Sequence, residues 1–528
     1  MATNSLTRRQ ILLAGAAGGL LATEQLNYAA IARAKRVPKA AHGAFAHGVA
    51  AGYPHPTSTT LWTRVTELTH RASVELEVAR DPNFRHVVHR SQELVDPARD
   101  YTVHARVGGL KPDHEYFYRF ATKTTGSRLG RFKTLPPAHS KQPLRIGFFS
   151  CQSYEAGYYT ALAGLAQEED LDLVLCLGDY IYEHHYYEGP PARVDTTGVN
   201  KDGDVQTLAE YREKYRFYQT DENLKKLHAN HAFVAIWDDH EVEDNYAGKG
   251  PDSKPTPPGF ENNGVTPRRV PFAQRGQNGY DAFFEAMPRI RLKGRRRNRT
   301  YGTIRLNGLA DLFITDQRQY RSPQACDDAT LAPCAGEDDP KRTLLGATQK
   351  KWFKRAVTGS DANWKLWASE VMIMSLDSAV GKHANPDQWD GYAAERKELF
   401  ETFRRKHVKN LVGFTGDIHT FAAGNITTNG NITGKPVGTE LVGGSITSFG
   451  LPEETGIPAA ALDGLRKAAD KHILYADFVR RGYCVVQVKP KELTAQFKSP
   501  DSIITPTSPI RTIGRFRVKS GVPKLEVL

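Results

Sequence analysis

Residues 171–183 read LDLVLCLGDYIYE, an apolar run that ends abruptly at Gly178 and Asp179. Apolar residues at nearly every position, instead of alternate positions, are typical of a strand buried on both faces of a sheet. Similar runs occur at residues 144–151, 231–239, 309–318, 364–371 and 410–419. Helical spacing of apolar residues predicts helices at residues 158–169, 208–218, 278–286, 348–356 and 393–406. The pattern therefore predicts an α/β layered domain over residues 144–500.

Upstream of the layered domain, residues 44–137 carry short strand-like runs that alternate with turn signals. Runs of this length and spacing predict a small all-β domain of the sandwich type. The segment 107–120 (VGGLKPDHEYFYRF) resembles the tyrosine-corner strand of fibronectin type III-like sandwiches, and any other small β-domain accounts for the pattern equally well. Residues 501–528 are predicted as a C-terminal tail.

The first 35 residues have the features of an export signal. Arg8 and Arg9 precede an apolar stretch at residues 11–22, which is shorter than the roughly 20 residues that cross a bilayer. A charged start, a short apolar stretch and small residues after it are typical of a signal peptide, and the paired arginines resemble the signal read by the twin-arginine export machinery. The sequence predicts an exported protein, periplasmic or secreted, with no transmembrane anchor after cleavage; an uncleaved anchor is the alternative.

Five cysteines have to be accommodated in an oxidising compartment. Cys326 and Cys334 lie close together in a polar stretch (ACDDATLAPCAGEDD), so we expect them to form a disulfide. Cys176 and Cys484 lie inside apolar runs and are expected to be buried strand residues. Cys151 directly follows an apolar run and has two interpretations, a buried structural cysteine or a metal ligand.

The chain of 528 residues has a formal net charge of +12 and a sequence pI near 9.2. Its hydrophobic content of 40% is typical of a soluble folded protein and argues against extensive disorder. A basic surface attracts anions, and the densest basic run, residues 289–299 (RIRLKGRRRNR), is either an anion-steering loop or an ordinary solvated face. Because no aromatic residues are interleaved with these cations, we expect no stable nucleic-acid complex.

Residue types that can bind metals follow four of the apolar runs. Cys151 follows the first run, and Asp179 and Tyr182 follow the second. Sites in open α/β sheets form at the carboxyl ends of the strands, so clusters at several such ends are expected to converge. A carboxylate behind a glycine is an accessible ligand, and a phenolate is a hard donor that suits ferric iron.

The third run ends in Asp238-Asp239-His240-Glu241, and Asp244 follows shortly after. Adjacent carboxylates beside a histidine are costly to bury without a cation or hydrogen bonds, although a solvated acidic loop remains an alternative interpretation. The fourth run ends in Gly416-Asp417-Ile418-His419, where the aspartate and the histidine either bind metal or serve as a capping residue and a surface histidine.

In chain order the clusters read C…GDxxY…DDHE…GDxH, which resembles the calcineurin-like metallophosphoesterase pattern DxH…GDxxD…GNHE…GHxH with specific replacements. The replacements resemble the PhoD-like alkaline phosphatases, a branch that includes phospholipase D-type phosphodiesterases. Further matching segments are FFSCQ, LGDYIYE, WDDHEVEDN, ITDQRQYR, LGATQKKWF, DQWDGY, FTGDIH and ELVGGSITS. The resemblance covers residues 44–500 and implies a metallophosphoesterase-type β-sandwich flanked by helices.

The resemblance also implies roles for individual residues. The implied ligands of a ferric iron are Cys151, Asp179, Tyr182 and His419. The implied ligands of Ca²⁺ are Asp179, Asp239 and Asp417, with Asp238 and Asp244 as further candidates for the same shell. His240 matches the histidine that assists proton transfer to the leaving group in the wider superfamily. The split of ligands between metals stays open.

The physical chemistry of the side chains agrees with these implied roles. A thiolate with a phenolate favours Fe³⁺ over Mg²⁺, and additional carboxylates favour Ca²⁺. Close cations activate an oxygen nucleophile and neutralise charge in an in-line displacement at phosphorus. Arg318 is the candidate that clamps the phosphate by paired hydrogen bonds; its alternative role is a structural ion pair with Asp316.

The leading hypothesis is an exported, metal-dependent hydrolase of phosphoric esters, an alkaline phosphatase with phosphodiesterase capacity. Phosphate monoesters and diesters are both expected substrates, because the same metals serve either. A phospholipase D-type or nucleic-acid phosphodiesterase is one alternative. A non-catalytic binding protein, suggested by the β-sandwich, is the other, and metal content together with turnover separates it from an enzyme.

Overall fold

The computed structural model describes residues 37–185, 191–248, 269–328, 335–377 and 385–528. In these ranges the strands β1–β21 are, in chain order, Val49–Gly52, Ser58–Arg64, Ala72–Ala79, Val87–Val95, Thr102–Gly108, Glu115–Ala121, Gly130–Lys133, Leu144–Phe149, Leu173–Leu177, Ala232–Ile236, Gly302–Arg305, Ala310–Ile314, Trp364–Ala368, Leu411–Thr415, Phe421–Thr427, Pro436–Val442, Ile473–Asp477, Tyr483–Val488, Glu492–Pro500, Ile510–Lys519 and Leu525–Val527. The α-helices of the same ranges are Thr160–Ala166, Leu208–Tyr218, Glu222–Asn230, Phe272–Ala286, Gly346–Thr358, Ala393–Arg405, Leu451–Thr455 and Ala459–Ala469.

Two mixed sheets form the centre of the molecule. One has ten strands in the order β21-β20-β19-β18-β8-β9-β10-β1-β2-β5, and the other has seven in the order β11-β12-β13-β14-β16-β15-β17. The middle strands β8, β9 and β10 run parallel to one another, as do β12, β13 and β14. The carboxyl ends of these six strands therefore lie at the sheet edges where the candidate site residues follow.

The apolar core explains why the runs in the sequence are continuous. One face of the central strands contributes to a cluster shared by both sheets, with Ile146, Leu175 and Leu312 among its members. The opposite face of the ten-stranded sheet packs against helices through residues such as Val174. A third cluster joins the seven-stranded sheet to the helices Gly346–Thr358 and Ala393–Arg405. The predicted α/β sandwich flanked by helices is confirmed.

The N-terminal region is all-β, as predicted. Its sheet β4-β3-β6-β7 packs against β1, β2 and β5 around a cluster of its own. The hydroxyl of Tyr116 accepts a hydrogen bond from the backbone N–H of Lys111 at 2.8 Å, the kind of upstream contact that a tyrosine corner makes. The sequence did not reveal that β1 pairs with β10, which makes β1, β2 and β5 part of the ten-stranded sheet.

Two other segments differ in extent from the sequence patterns. The helix that was expected to start at residue 278 begins at Phe272. Its first turns were not predicted because Gly276 and Gly279 interrupt the apolar pattern. Gly279 is required for packing, since a Cβ there would lie 2.3 Å from the Glu241 carbonyl oxygen. The C-terminal segment supplies strands β20 and β21 to the ten-stranded sheet. Within the described ranges no helix is both long and apolar enough to cross a membrane.

Candidate active site

Four candidate ligands share an unusual backbone conformation. The φ angles of Cys151, Asp179, Asp417 and His419 are 58°, 53°, 69° and 50°. This left-handed region costs roughly 1–3 kcal/mol for a residue other than glycine and persists only where the surroundings enforce it. Hydrogen bonds between adjacent strand ends help to enforce this conformation. For example, Cys151 N–H donates to the Gly178 carbonyl at 3.2 Å. The strand ends thus hold these side chains in a fixed direction.

The four residues predicted as iron ligands lie together. Potential ligand atoms of Cys151, Asp179 and His419 are all within 4.8 Å of one another. The Tyr182 hydroxyl donates to Asp179 Oδ2 at 3.1 Å and lies 3.2 Å from His419 Nε2. It also lies 2.6 Å from the hydroxyl of Ser448. A thiol, a phenol, an imidazole and a carboxylate therefore face one point, and all four residues are buried.

A second group consists of carboxylates around the guanidinium of Arg318. Asp238, Asp239 and Asp417 place ligand oxygens within 4.8 Å of one another. Arg318 contacts Asp238 through Nε, Asp417 Oδ1 through Nη2 at 2.5 Å, and Asp387 through Nη1 at 2.8 Å. Arg318 makes no ion pair with Asp316 among the described residues, so the alternative role considered for it from the sequence is absent from the structure.

The two groups are joined by a third, in which ligand atoms of Asp179, Asp239 and His240 lie within 4.8 Å of one another. Asp179 belongs to this group and to the iron-type group, and Asp239 belongs to it and to the carboxylate group. The site is consequently one continuous cluster, and the Asp179 carboxylate is shared by two of its groups.

Several carboxylate oxygens of the cluster lack a hydrogen-bond donor among the described residues. Asp179 Oδ1, Asp238 Oδ2 and Asp239 Oδ1 are buried and have no hydrogen-bond partner in the ranges that the structure describes. Burial raises the pKa of Asp179 and of Asp238 well above the usual value for an aspartate. Unpaired buried carboxylate oxygens are costly unless a cation compensates them. The donor set and these orphan oxygens fit bound metal ions.

His240 is held by a carboxylate that the sequence-based site did not include. Its Nδ1 lies 2.7 Å from Glu183 Oε2, and its ring packs on the Tyr182 ring at a centroid distance of 4.1 Å. Burial lowers the pKa of His240, but Asp239 and Glu183 outweigh burial and raise the pKa well above its ordinary value. Glu183 thereby fixes the ring direction and leaves Nε2 as the nitrogen that faces away from it.

Asp244 lies beside His240 instead of within the carboxylate group. One Asp244 oxygen is 3.7 Å from His240 Nε2, and the Asp244 backbone N–H donates to Glu183 at 2.7 Å. Burial raises the pKa of Asp244 well above the usual value for an aspartate.

Glu241 ties two ligand loops together. Its carboxylate accepts hydrogen bonds from the backbone N–H groups of Asp179 at 3.2 Å, Tyr180 at 2.6 Å and Asp238 at 2.7 Å. Burial raises the pKa of Glu241 to about 7. Glu241 therefore positions the two ligand loops through their backbone N–H groups.

Several residues that contact the predicted ligands were not predicted from the sequence, although they lie in segments that resemble the family pattern. Glu183 and Glu241 end the segments LGDYIYE and WDDHE, and Asp387 starts DQWDGY. Ser448 closes ELVGGSITS, whose glycines let the chain pass close to Phe421 and Phe148. The resemblance of these segments to the family pattern was the only signal in the sequence. It does not show which side chains within a segment reach the site.

The remaining predictions concern cysteines and the export signal. Cys176 and Cys484 are free and buried in β9 and β18, in agreement with the strand prediction. Cys326 is disulfide-bonded, whereas its expected partner Cys334 lies outside the described residues. Arg8 and Arg9, which are predicted to belong to an export signal, also lie outside the described residues.

Comparisons with known proteins agree on one group of enzymes. A family model for the PhoD-like phosphatases matches residues 146–497, and one for the N-terminal domain of the PhoD-like phosphatases matches residues 30–136. Alkaline phosphatase D of Bacillus subtilis (strain 168) is 34% identical over 492 residues, which cover 89% of this chain and 80% of that protein.

Similar folds occur among solved structures. The structure of PhoD matches with a TM-score of 0.80 and 32% identity, covering 92% of each chain. A purple acid phosphatase from yellow lupin (Lupinus luteus) seeds matches with a TM-score of 0.56 and 11% identity, over 89% of this chain and 73% of that one. At so low an identity the second similarity concerns the fold alone.

Proposed function

The chain belongs to the PhoD-like phosphatase family and is a phosphoric ester hydrolase, and from this premise we propose that it works with Fe³⁺ and Ca²⁺ as an exported alkaline phosphatase with phosphodiesterase capacity. The observation that carries the proposal is the continuous cluster in which a thiol, a phenol, an imidazole and several carboxylates meet around orphan buried oxygens.

Fe³⁺ is assigned to Cys151, Asp179, Tyr182 and His419. The support is chemical, because a thiolate and a phenolate together favour ferric iron over Mg²⁺ and Ca²⁺. Burial raises the pKa of the Cys151 thiol well above its usual value. Thiolate formation at such a position requires a nearby cation, since a coordinating metal ion removes the proton from its thiol ligand.

Ca²⁺ is assigned to the carboxylate group formed by Asp238, Asp239 and Asp417, with Asp179 shared between the metals. Carboxylate oxygens are the ligands that Ca²⁺ prefers, and soft donors are absent from these three side chains. Arg318 balances part of their charge through its contacts with Asp238, Asp239 and Asp417. A cation supplies the further positive charge that their orphan oxygens require.

In the reaction, bound metal ions would polarise the phosphoryl group and activate the oxygen nucleophile for in-line attack. Arg318 stands beside the same carboxylates, and we assign its paired N–H groups to phosphoryl oxygens, where they bind charge that grows in the transition state. His240, oriented by Glu183, donates a proton to the oxygen of the departing alcohol as the P–O bond breaks. The products are the alcohol and a phosphate or phosphate monoester.

Export rests on the first 35 residues, where Arg8 and Arg9 precede the apolar stretch. Twin-arginine export carries folded proteins and therefore suits a buried metal cluster. Replacement of both arginines by lysine should leave the protein in the cytoplasm of an expressing bacterium, as measured by fractionation. Unchanged delivery across the membrane would remove the twin-arginine assignment.

Elemental analysis of protein exported by its own signal, followed by assays on a phosphate monoester and a phosphate diester, tests the metal assignment and the substrate class together. We expect iron and calcium, activity on both esters, and loss of that activity when a calcium-selective chelator is added while iron stays bound. Activity that survives calcium removal would contradict the calcium assignment. Protein without metal and without turnover would favour the binding-protein alternative.

A further inference from the structure

The cationic loop, defined here as residues 289–299, is the basic feature that the catalytic cluster does not use. Between Glu285 and Asp311 the chain has eight arginine and lysine residues and no acidic residue. Such a stretch repels itself and needs fixed anchors if it is to keep one conformation. The contacts of its side chains divide the loop into an inward set and an outward set.

Three arginines form the inward set. Arg289 Nη1 donates to the Tyr53 hydroxyl at 2.7 Å, and Arg291 pairs with Asp281 at 2.5 Å. The guanidinium of Arg299 lies 4.1 Å from the centroid of the Tyr301 ring. These contacts attach both ends of the loop to the body of the protein, so the residues between them are held at the surface.

The outward set combines cations with apolar side chains. Lys293, Arg295 and Arg296 are exposed and form no ion pair with a described residue. Ile290 and Leu292 are 44% and 43% exposed. Exposed apolar side chains that alternate with cations are typical of segments that bind an anionic membrane surface.

The base of the cationic loop is attached to the loop that carries Arg318. Gln319 Nε2 donates to the Asn298 carbonyl at 2.9 Å, and Thr300 Oγ1 donates to Asp316 Oδ2 at 2.9 Å. Residues 316 and 319 flank Arg318, so the base of the cationic loop lies on the side of the molecule where the strand ends form the cluster.

We propose that the cationic loop docks the protein onto an anionic lipid bilayer. Ile290 and Leu292 enter the boundary between headgroups and acyl chains, while Lys293, Arg295 and Arg296 face the anionic headgroups. A soluble polyanion would use the cations but not the apolar pair. A single-stranded nucleic acid is disfavoured because residues 289–299 include no aromatic side chain on which a base could stack.

The test is co-sedimentation of the purified protein with phosphatidylcholine vesicles that contain or lack phosphatidylglycerol. Wild-type protein is expected to bind the anionic vesicles at least about tenfold more strongly, and about 1 M salt should weaken that binding because it shortens the screening length to about 3 Å. The variant Lys293→Gln/Arg295→Gln/Arg296→Gln should lose about 100-fold in partition coefficient, or about fivefold for each charge.

A matched charge control separates the loop from the net charge. The variant Arg405→Gln/Lys406→Gln/Lys409→Gln removes the same three charges from exposed positions that precede β14, at the edge of the sheet opposite to the cluster. It is expected to keep vesicle binding within about threefold of wild type, because the screening length limits each charge to its own surface. Equal losses in both charge variants would overturn the proposal, since net charge alone would then explain the binding.

The apolar pair separates a membrane from a soluble polyanion. Ile290→Asn/Leu292→Asn keeps every charge and should weaken vesicle binding about tenfold, because two side chains no longer leave water. Unchanged vesicle binding in this variant overturns membrane docking. Oligonucleotide binding that depends on the three cations and exceeds vesicle binding does the same and assigns the loop to nucleic acid. Because vesicle binding is measured without turnover, its result is independent of the proposed catalysis.

Discussion

Two regions of this protein bury carboxylates equally deeply but differ in the hydrogen-bond partners that they provide for them. In the body of the seven-stranded sheet, Glu440 accepts hydrogen bonds from Ile373 N–H, Met374 N–H and Thr415 Oγ1 at 2.8, 2.7 and 2.6 Å. Nearby, Asp390 pairs with Arg396 at 2.7 Å. At the strand ends, by contrast, one oxygen each of Asp179, Asp238 and Asp239 has no hydrogen-bond partner in the part of the chain that the structure describes.

The difference indicates what each region is built to do. Glu440 and Asp390 are each satisfied by partners from the fold, so orphan oxygens are not the general state of buried carboxylates in this protein. The same strand ends hold Cys151 and Asp179 in the left-handed backbone region. Unfavourable features that coincide at one place are expected at functional sites, where a ligand offsets their cost.

Substitution of one aspartate from each region gives the largest expected effect. Asp179→Asn should lower kcat/KM for a phosphate monoester by about 1,000-fold or more, because one ligand shared by the metal groups is lost. Asp390→Asn should keep kcat/KM within about threefold per folded molecule, since the described partners of Asp390, Arg396 and Leu376, are not proposed metal ligands. The measurement is steady-state turnover together with metal content, and full activity in Asp179→Asn would remove Asp179 from the site.

The stability of the metal-free protein should show the opposite order. Asp390→Asn leaves the buried Arg396 guanidinium without its charge partner, which costs roughly 3–5 kcal/mol. Asp179→Asn removes a buried charge whose Oδ1 is an orphan among the described residues, so the metal-free variant should melt at or above the temperature of metal-free wild type. A lower melting temperature for Asp179→Asn than for Asp390→Asn would break the comparison between the two regions.

Cys151→Ser tests the softest donor of the strand-end region. We expect loss of iron and of the visible charge-transfer absorption, because a hydroxyl in the same place is a much poorer ligand than a thiolate. Activity should fall by about 100-fold or more as a consequence of metal loss. Cys176→Ser is the matched control, since Cys176 is also free and buried but lies inside β9. Iron at full occupancy in Cys151→Ser would exclude Cys151 as a ligand.

The sequence predicted the strand-end region well and its surroundings less well. Continuous apolar runs revealed the central strands, because burial on both faces leaves a pattern that local sequence carries. Strand β4, Val87–Val95, carries no such pattern because most of its side chains are partly or fully exposed. The pairing of β1 with β10 was missed, since hydrogen bonds between distant segments leave no periodic signal in either segment.

The same limit applies to the site. Cys151, Asp179, Asp239 and His419 could be predicted because each follows a strand end and has a side chain with metal chemistry. Glu183 has equally suitable chemistry, but its role depends on which way its side chain turns after the Tyr182 loop. Only tertiary structure fixes that direction, through contacts with His240 and with the backbone of Asp244.

Glu183→Gln tests this positioning role and should have a smaller effect than loss of a ligand. The amide cannot act as an anionic partner for the His240 ring, so kcat is expected to fall about 10- to 100-fold. KM and metal content should stay close to wild type, because Glu183 is not among the proposed metal ligands. Parallel loss of metal and activity would contradict positioning and make Glu183 part of the metal shell.

Glu440→Gln tests the satisfied region and has the smallest expected effect. Burial raises the pKa of Glu440 to about 7, above its ordinary value of 4.5. The folded protein therefore holds this proton more tightly than the unfolded chain, and stability is lost as pH rises from about 4.5 to about 7. The glutamine variant lacks this titration.

Comparison of the free energies of unfolding at pH 5 and pH 8 isolates the effect. Relative to wild type, Glu440→Gln should gain about 2 kcal/mol between these pH values, and any cost of the weaker hydrogen bonds cancels because it is the same at both. A chelator should leave this gain unchanged, since Glu440 is satisfied by Ile373, Met374 and Thr415 and needs no cation. A gain that appears only after metal removal would mean that the two regions are coupled, and the contrast between structural and functional carboxylates would fail.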